Sequence, residues 1–162
     1  MQRKMIVAVM AMTTATIGFA FAKNSKVTPS ASVTEQDVIV FADEFVSISE
    51  ELKGYNYVED DMSMEDIARV IGVDEMERVL EKHGITGPNR VKKVNMIMLC
   101  YAKYKIEKEL ADSPMFLRSS IRRKIKKEFD ANINPADEKT VRLHAEYLDE
   151  KLEPFFEEEE SK

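Results

Sequence analysis

Apolar residues recur at every third or fourth position along most of this chain, the spacing that places side chains on one face of an α-helix. The clearest example is the seam formed by Val38, Phe41, Phe45, Ile48 and Leu52. No segment shows the strict alternation of apolar and polar residues that is typical of a half-buried strand. The pattern therefore predicts an all-α fold, a compact bundle of five or six helices.

Capping residues, glycines and prolines mark where these helices begin and end. Thr34 and Asp37 form a capping box before the first helix, and Asp74 with Glu77 predicts the start of the third. The first helix is expected to stop at Gly54, and Gly72 and Gly84 suit the left-handed residue that ends a helix. Prolines suit first turns at Pro88, Pro114 and Pro135. The predicted helices span residues 35–53, 64–71, 75–83, 88–111, 115–129 and 135–156.

The fourth predicted helix, at about residues 88–111, differs from the others in its middle. Between Val94 and Ala102 its only strongly polar residue is Asn95, so apolar side chains point in every direction. A helix that is apolar all round is surrounded by protein. We therefore expect this helix to form the centre of the bundle, with Cys100, the only cysteine of the chain, buried in it.

The first 22 residues have the pattern of a secretory signal. Two cations, Arg3 and Lys4, precede an apolar run over residues 5–21, and small residues lie at Ala20 and Ala22. This pattern predicts export by a bacterium, cleavage after Ala22 and a soluble mature chain that is periplasmic or secreted. The alternative is an uncleaved anchor, because the run approaches the roughly 17–25 residues that span a bilayer. Its three threonines and one glycine favour the signal.

The remaining chain divides by composition into a leader, one domain and a tail. We expect a signal peptide at 1–22, a flexible leader at 23–33, a single helical domain at 34–156 and an acidic tail at 157–162. Cleavage removes two of the 24 basic residues and leaves all 30 acidic ones, for a formal charge of −8. Such a charge disfavours nonspecific binding to nucleic acid.

The fifth predicted helix is basic and amphipathic. Its apolar residues Leu117, Ile121, Ile125 and Phe129 occupy an arc of about 120° on a helical projection, and cations fill much of the remainder. We identify five of these cations as candidate residues for binding an anionic partner: Arg118, Arg122, Arg123, Lys126 and Lys127. An anionic membrane surface, a polyanionic polymer and an acidic protein are the possible partners.

The favoured alternative is that these cations are balanced within the molecule. The sixth predicted helix carries an acidic face around Glu146, Asp149, Glu150 and Glu153. If this face lies against the basic helix, the cations stabilise the fold rather than bind a partner, and contact with a membrane surface is not favoured.

The sequence offers little that points to catalysis. The two histidines, His83 and His144, lie far apart in the chain, and neither has a second histidine or cysteine within one helical turn. The glycines are scattered, without the spacing of a phosphate-binding loop. We therefore predict no catalytic, metal or cofactor site. The expected function is that of an exported, non-catalytic envelope protein that acts through protein–protein interaction or assembly. Binding of an anionic surface and a small periplasmic enzyme are the alternatives.

Overall fold

The computed structural model describes residues 33–58, 62, 64–112 and 115–159. These residues form seven helices and no strand, which confirms the all-α prediction. The helices are α1 (Glu35–Lys53), α2 (Met64–Ile71), α3 (Val73–Lys82), α4 (Arg90–Asp112), α5 (Met115–Glu128), α6 (Pro135–Leu143) and α7 (Ala145–Glu159). The predicted signal peptide and the leader up to residue 32 lie outside the described residues.

Helix α4 is the centre of the bundle, as the sequence predicts. It contacts each of the six other described helices. Val94 and Ile97 are fully buried within it, and Cys100 is only 1% exposed. Burial raises the pKa of the Cys100 thiol to about 12, so the thiol stays protonated near neutral pH.

Helix α1 is joined to the core through its apolar seam and through a buried polar start. The capping box has both of its halves, because Thr34 Oγ1 accepts from the N–H of Asp37 and the Asp37 carboxylate accepts from the N–H of Thr34. The same carboxylate lies 3.0 Å from Lys93 Nζ on α4. The N–H of Val33, just before the cap, donates to Asp137 Oδ1 of α6 at 3.0 Å. The start of α1 is thus held by two other helices.

The predicted start of two helices is wrong, and one side chain explains much of the difference. Helix α3 begins at Val73, directly after Gly72 with its positive φ of 95°, so Asp74 lies inside the first turn. Glu77 does not pair with Asp74. Its carboxylate instead accepts from the N–H groups of Arg90 and Val91, at 3.0 and 3.1 Å, and so caps α4. Helix α4 accordingly begins two residues after Pro88.

The predicted sixth helix is two helices, divided at His144. The break falls where neither proline nor glycine occurs, and it changes the packing partner of the chain. Helix α6 packs mainly on α4, and α7 packs mainly on α1. In the latter contact the rings of Phe45 and Phe155 meet edge to face, 5.1 Å apart. Pro154 lies within α7 without ending it.

Shortening a side chain at the centre of the bundle tests the position of α4. We expect Ile97→Ala to lower the free energy of unfolding by about 2–5 kcal/mol, because Ile97 is fully buried and its loss leaves a cavity. Chemical denaturation followed by circular dichroism measures this change. Lys92→Ala, at an exposed position of the same helix, is the control and should change stability by less than about 0.5 kcal/mol.

Removing the amine of Lys93 tests the buried ion pair. We expect Lys93→Met to cost about 3–5 kcal/mol, because the Asp37 carboxylate, 3% exposed, loses its counter-charge. Lys92→Met makes the same substitution at the exposed neighbouring position and should leave stability nearly unchanged. Equal denaturation midpoints for the two variants would contradict the importance of this pair.

Candidate functional site

Helix α5 is positioned by its apolar side, which packs against α4. Ile125 and Phe129 are 6% and 5% exposed, and Ile121 is partly buried against the same core. Just beyond the end of α5, Asp130 forms an ion pair with Lys103 of α4 at 2.7 Å. Because these contacts occupy the apolar side, the opposite side of α5 faces solvent.

Four of the five predicted cations lie exposed on this outer side: Arg122, Arg123, Lys126 and Lys127. We refer to these four residues as the basic face. Arg122 and Lys126 are one helical turn apart, as are Arg123 and Lys127, so the face consists of two adjacent ridges with Cβ atoms about 5–6 Å apart along each. No ion pair with another side chain of the described chain neutralises any of the four.

Arg118, the fifth predicted cation, lies apart from the basic face. Its side chain is half-buried, and its guanidinium donates to the carbonyl oxygen of Ala111 at 2.8 Å. Ala111 lies in the last turn of α4, where carbonyl groups have no partner within the helix and a positive charge is favourable. Arg118 therefore belongs to the junction between α4 and α5 and not to the basic face.

The acidic residues expected to balance α5 are bound elsewhere. The Asp149 carboxylate lies 3.1 Å from Lys105 Nζ and 2.7 Å from Lys108 Nζ, and it accepts from the hydroxyl of Tyr101 at 2.8 Å. Glu153 also pairs with Lys105. The prediction that these two acids lie against the basic helix is wrong, because both are bound by lysines of α4. Glu146 and Glu150 are exposed.

This cluster between α4 and α7 is electrostatically well compensated. Burial raises the pKa of Asp149, but hydrogen bonds from Lys108, Tyr101 and Lys105 outweigh it and hold that pKa below its ordinary value. Burial and the hydrogen bond to Asp149 hold the pKa of Tyr101 far above its ordinary value, so this hydroxyl is a donor and not a nucleophile near neutral pH. The arrangement stabilises the contact between helices and leaves no reactive base.

His83, at the end of α3, is hydrogen-bonded to two carboxylates of α1. Its Nδ1 lies 3.0 Å from Glu44 Oε2, and its Nε2 lies 2.8 Å from Glu51 Oε2. Both ring nitrogens must donate to satisfy these two carboxylates, so the geometry suits the charged imidazolium. The carboxylates lie against opposite nitrogens of the ring and therefore do not converge on one metal ion.

Other possible sites are sparse in the part of the chain that the structure describes. No group of three or more histidine, cysteine or acidic residues there is placed to hold a metal ion. His144 lies at the break between α6 and α7, with Nε2 3.8 Å from Glu35. A shallow depression of about 320 Å³ on α6 is lined by Pro135, Glu138, Lys139, Arg142 and Leu143. Neither histidine lines it.

Comparison with known proteins provides no family or function for this chain. No protein-family model matches the sequence, and no curated protein and no solved structure shows significant similarity to it. Among the described residues, no helix is long and apolar enough to cross a membrane. The basic face is thus the feature of the described surface that most needs a functional explanation.

The pairing of His83 with Glu44 and Glu51 predicts that the stability of the protein depends on pH. Burial lowers the pKa of His83, but hydrogen bonds to Glu44 and Glu51 outweigh burial and hold the pKa above its ordinary value. The stabilisation is therefore fully present below about pH 6.5 and is lost as pH rises through the elevated pKa. We expect urea denaturation to show falling stability across this range.

Substitution separates this contribution from other titrating groups. His83→Gln should flatten the pH dependence above about pH 6.5. A wild-type stability that rises with pH through this window, or an unchanged slope in His83→Gln, would contradict the proposed state of the ring.

Proposed function

We propose that this protein is an exported, non-catalytic binding protein of the cell envelope that binds an acidic protein surface through the basic face of α5. The observation that carries the proposal is the placement of Arg122, Arg123, Lys126 and Lys127 together on the solvent side of one helix. Two of the acids of α7 that were expected to neutralise them, Asp149 and Glu153, are held instead by Lys105 and Lys108.

The packing of α5 favours a protein over a membrane as the partner. An amphipathic helix that binds in a membrane interface inserts its apolar side among the lipids. In α5 this side is occupied, since Ile125 and Phe129 are buried against the core. Binding to lipid would have to rely on charge alone, with an anionic plane facing a protein of net negative charge.

The chemistry of the four cations also suits carboxylates. An arginine guanidinium can donate two parallel hydrogen bonds to one carboxylate, and Arg122 and Arg123 supply one such group on each ridge. The lysines one turn further along each ridge add charge at a spacing that carboxylates on a partner helix can match. A narrow acidic segment can meet the basic face without approaching the acidic remainder of the surface.

The first 22 residues support a location outside the cytoplasm, and the single cysteine is compatible with it. The N-terminal pattern is that of an export signal. Cys100 is buried and its thiol stays protonated near neutral pH, so this residue is suited to an oxidising compartment.

Charge reversal on α5 tests the proposal directly. A fluorescent peptide of eight glutamates should bind the purified protein, and added salt should weaken the binding. Arg122→Glu with Lys126→Glu should reduce the affinity by about tenfold or more, because each exposed ion pair contributes about 0.2–1 kcal/mol and reversal replaces attraction by repulsion. Fluorescence anisotropy measures the affinity.

A second double variant provides the matched control. Lys92→Glu with Lys139→Glu makes the same change in net charge at exposed positions on α4 and α6, and it should retain most of the binding. Equal losses in both variants would mean that only net charge matters. Binding of anionic vesicles but not of the peptide, lost on reversal of α5, would replace the protein partner by a membrane surface.

A further inference from the structure

Helix α7 carries a line of exposed acids that complements the basic face. Glu146, Glu150 and Glu153 are separated by four and three residues, so they follow one another along one side of the helix. We refer to these three residues as the acidic ridge. All three are exposed, and Glu153 keeps 52% of its side chain accessible while it pairs with Lys105.

The two charged surfaces match in dimensions. The acidic ridge runs from Glu146 to Glu153, a rise of about 10 Å along the helix, and the basic face runs from Arg122 to Lys127, a rise of about 8 Å. In both, neighbouring charges on one ridge lie one helical turn apart. Two helices laid side by side can therefore bring Glu146 and Glu150 against one ridge of the basic face.

Within one molecule these surfaces do not pair with each other in the described structure. The ion pairs of α7 run to α4, through Asp149 and Glu153, and to α1, through Lys151 and Asp43 at 3.1 Å. Like charges one turn apart on a helix repel each other. Each surface therefore gains from an oppositely charged partner, and a second copy of this chain carries both.

We propose that the acidic partner is a second copy of this chain, whose acidic ridge binds the basic face of the first copy. This inference rests on the proposed function of the basic face and names the partner of that site. A reciprocal arrangement, in which each copy contributes one ridge and one face, closes at two copies. A head-to-tail arrangement adds further copies.

Charge exchange between two variants gives the sharpest test. Sedimentation velocity of the wild type over a range of concentrations should show self-association that weakens in high salt. Arg122→Glu with Lys126→Glu should reduce the association constant about tenfold or more, and so should Glu146→Lys with Glu150→Lys, because each variant places like charges in the contact. Lys92→Glu with Lys139→Glu is the control and should associate as the wild type does.

Mixing the two variants should restore association. In the mixture the reversed face of one variant meets the reversed ridge of the other, and the unchanged ridge and face remain complementary. Circular dichroism and thermal melting of each variant establish that it is folded before the comparison. Restored association in the mixture supports the contact, and its absence, with both variants folded, overturns it.

The outcomes distinguish this inference from the proposed function. A wild type that remains monomeric at millimolar concentration but binds the glutamate peptide through α5 overturns the second copy as partner and leaves the binding function intact. Self-association that is unchanged in both double variants also overturns the contact. If the glutamate peptide is not bound and the protein is monomeric, both proposals are overturned.

Discussion

The burial of the middle of α4, residues 94–102, is the constraint on which the rest of the structure depends. Its middle is apolar, but three of its lysines are buried as well, and a buried ammonium group needs a counter-charge. Lys93 pairs with Asp37, Lys103 with Asp130 and Glu138, and Lys105 with Asp149 and Glu153. These acids come from α1, from the segment around α6 and from α7. Each pair thus ties a different part of the chain to the central helix.

This constraint also decides what remains on the surface. Since α4 binds Asp149 and Glu153 of α7 and Asp130 just after α5, these three acids do not pair with the cations on the outer side of α5, which face solvent. The exposed positive charge of α5 is therefore a consequence of the ion pairs of the core. Buried lysines of α4 bind carboxylates that the sequence alone would place beside α5. The ion pairs that allow the lysines of α4 to be buried are thus the same ones that leave the basic face without a partner from those acids.

The sequence was sufficient for those features that depend on local chemistry. The seam of α1, the capping box at Thr34 and the glycines at positions 72 and 84 act through neighbouring residues, and their periodicity and residue types are visible in the chain. The apolar middle of α4 likewise predicts its burial, because no exposed helix tolerates apolar side chains all round. These features account for the all-α architecture and for most helix boundaries.

The features that the sequence did not reveal depend on contacts between distant residues. Glu77 caps a helix that begins 13 residues later, and nothing in its neighbourhood distinguishes it from an ordinary surface acid. The break at His144 reflects a change of packing partner and has no residue that marks it. Arg118 lies on the helical projection among apolar residues, a signal that could have separated it from the other cations. Which lysines Asp149 would bind depended on the side from which α7 approaches α4.

The bond between Val33 and Asp137 has a consequence for the order in which the molecule can assemble. The two residues are 104 positions apart, and the donor is the backbone at the very start of the domain. The entrance to α1 can therefore close only after the chain has been synthesised as far as α6. During synthesis from the N-terminus, the first helix thus waits for one of the last before its start is fixed. The N-terminal half of the chain cannot complete the fold by itself.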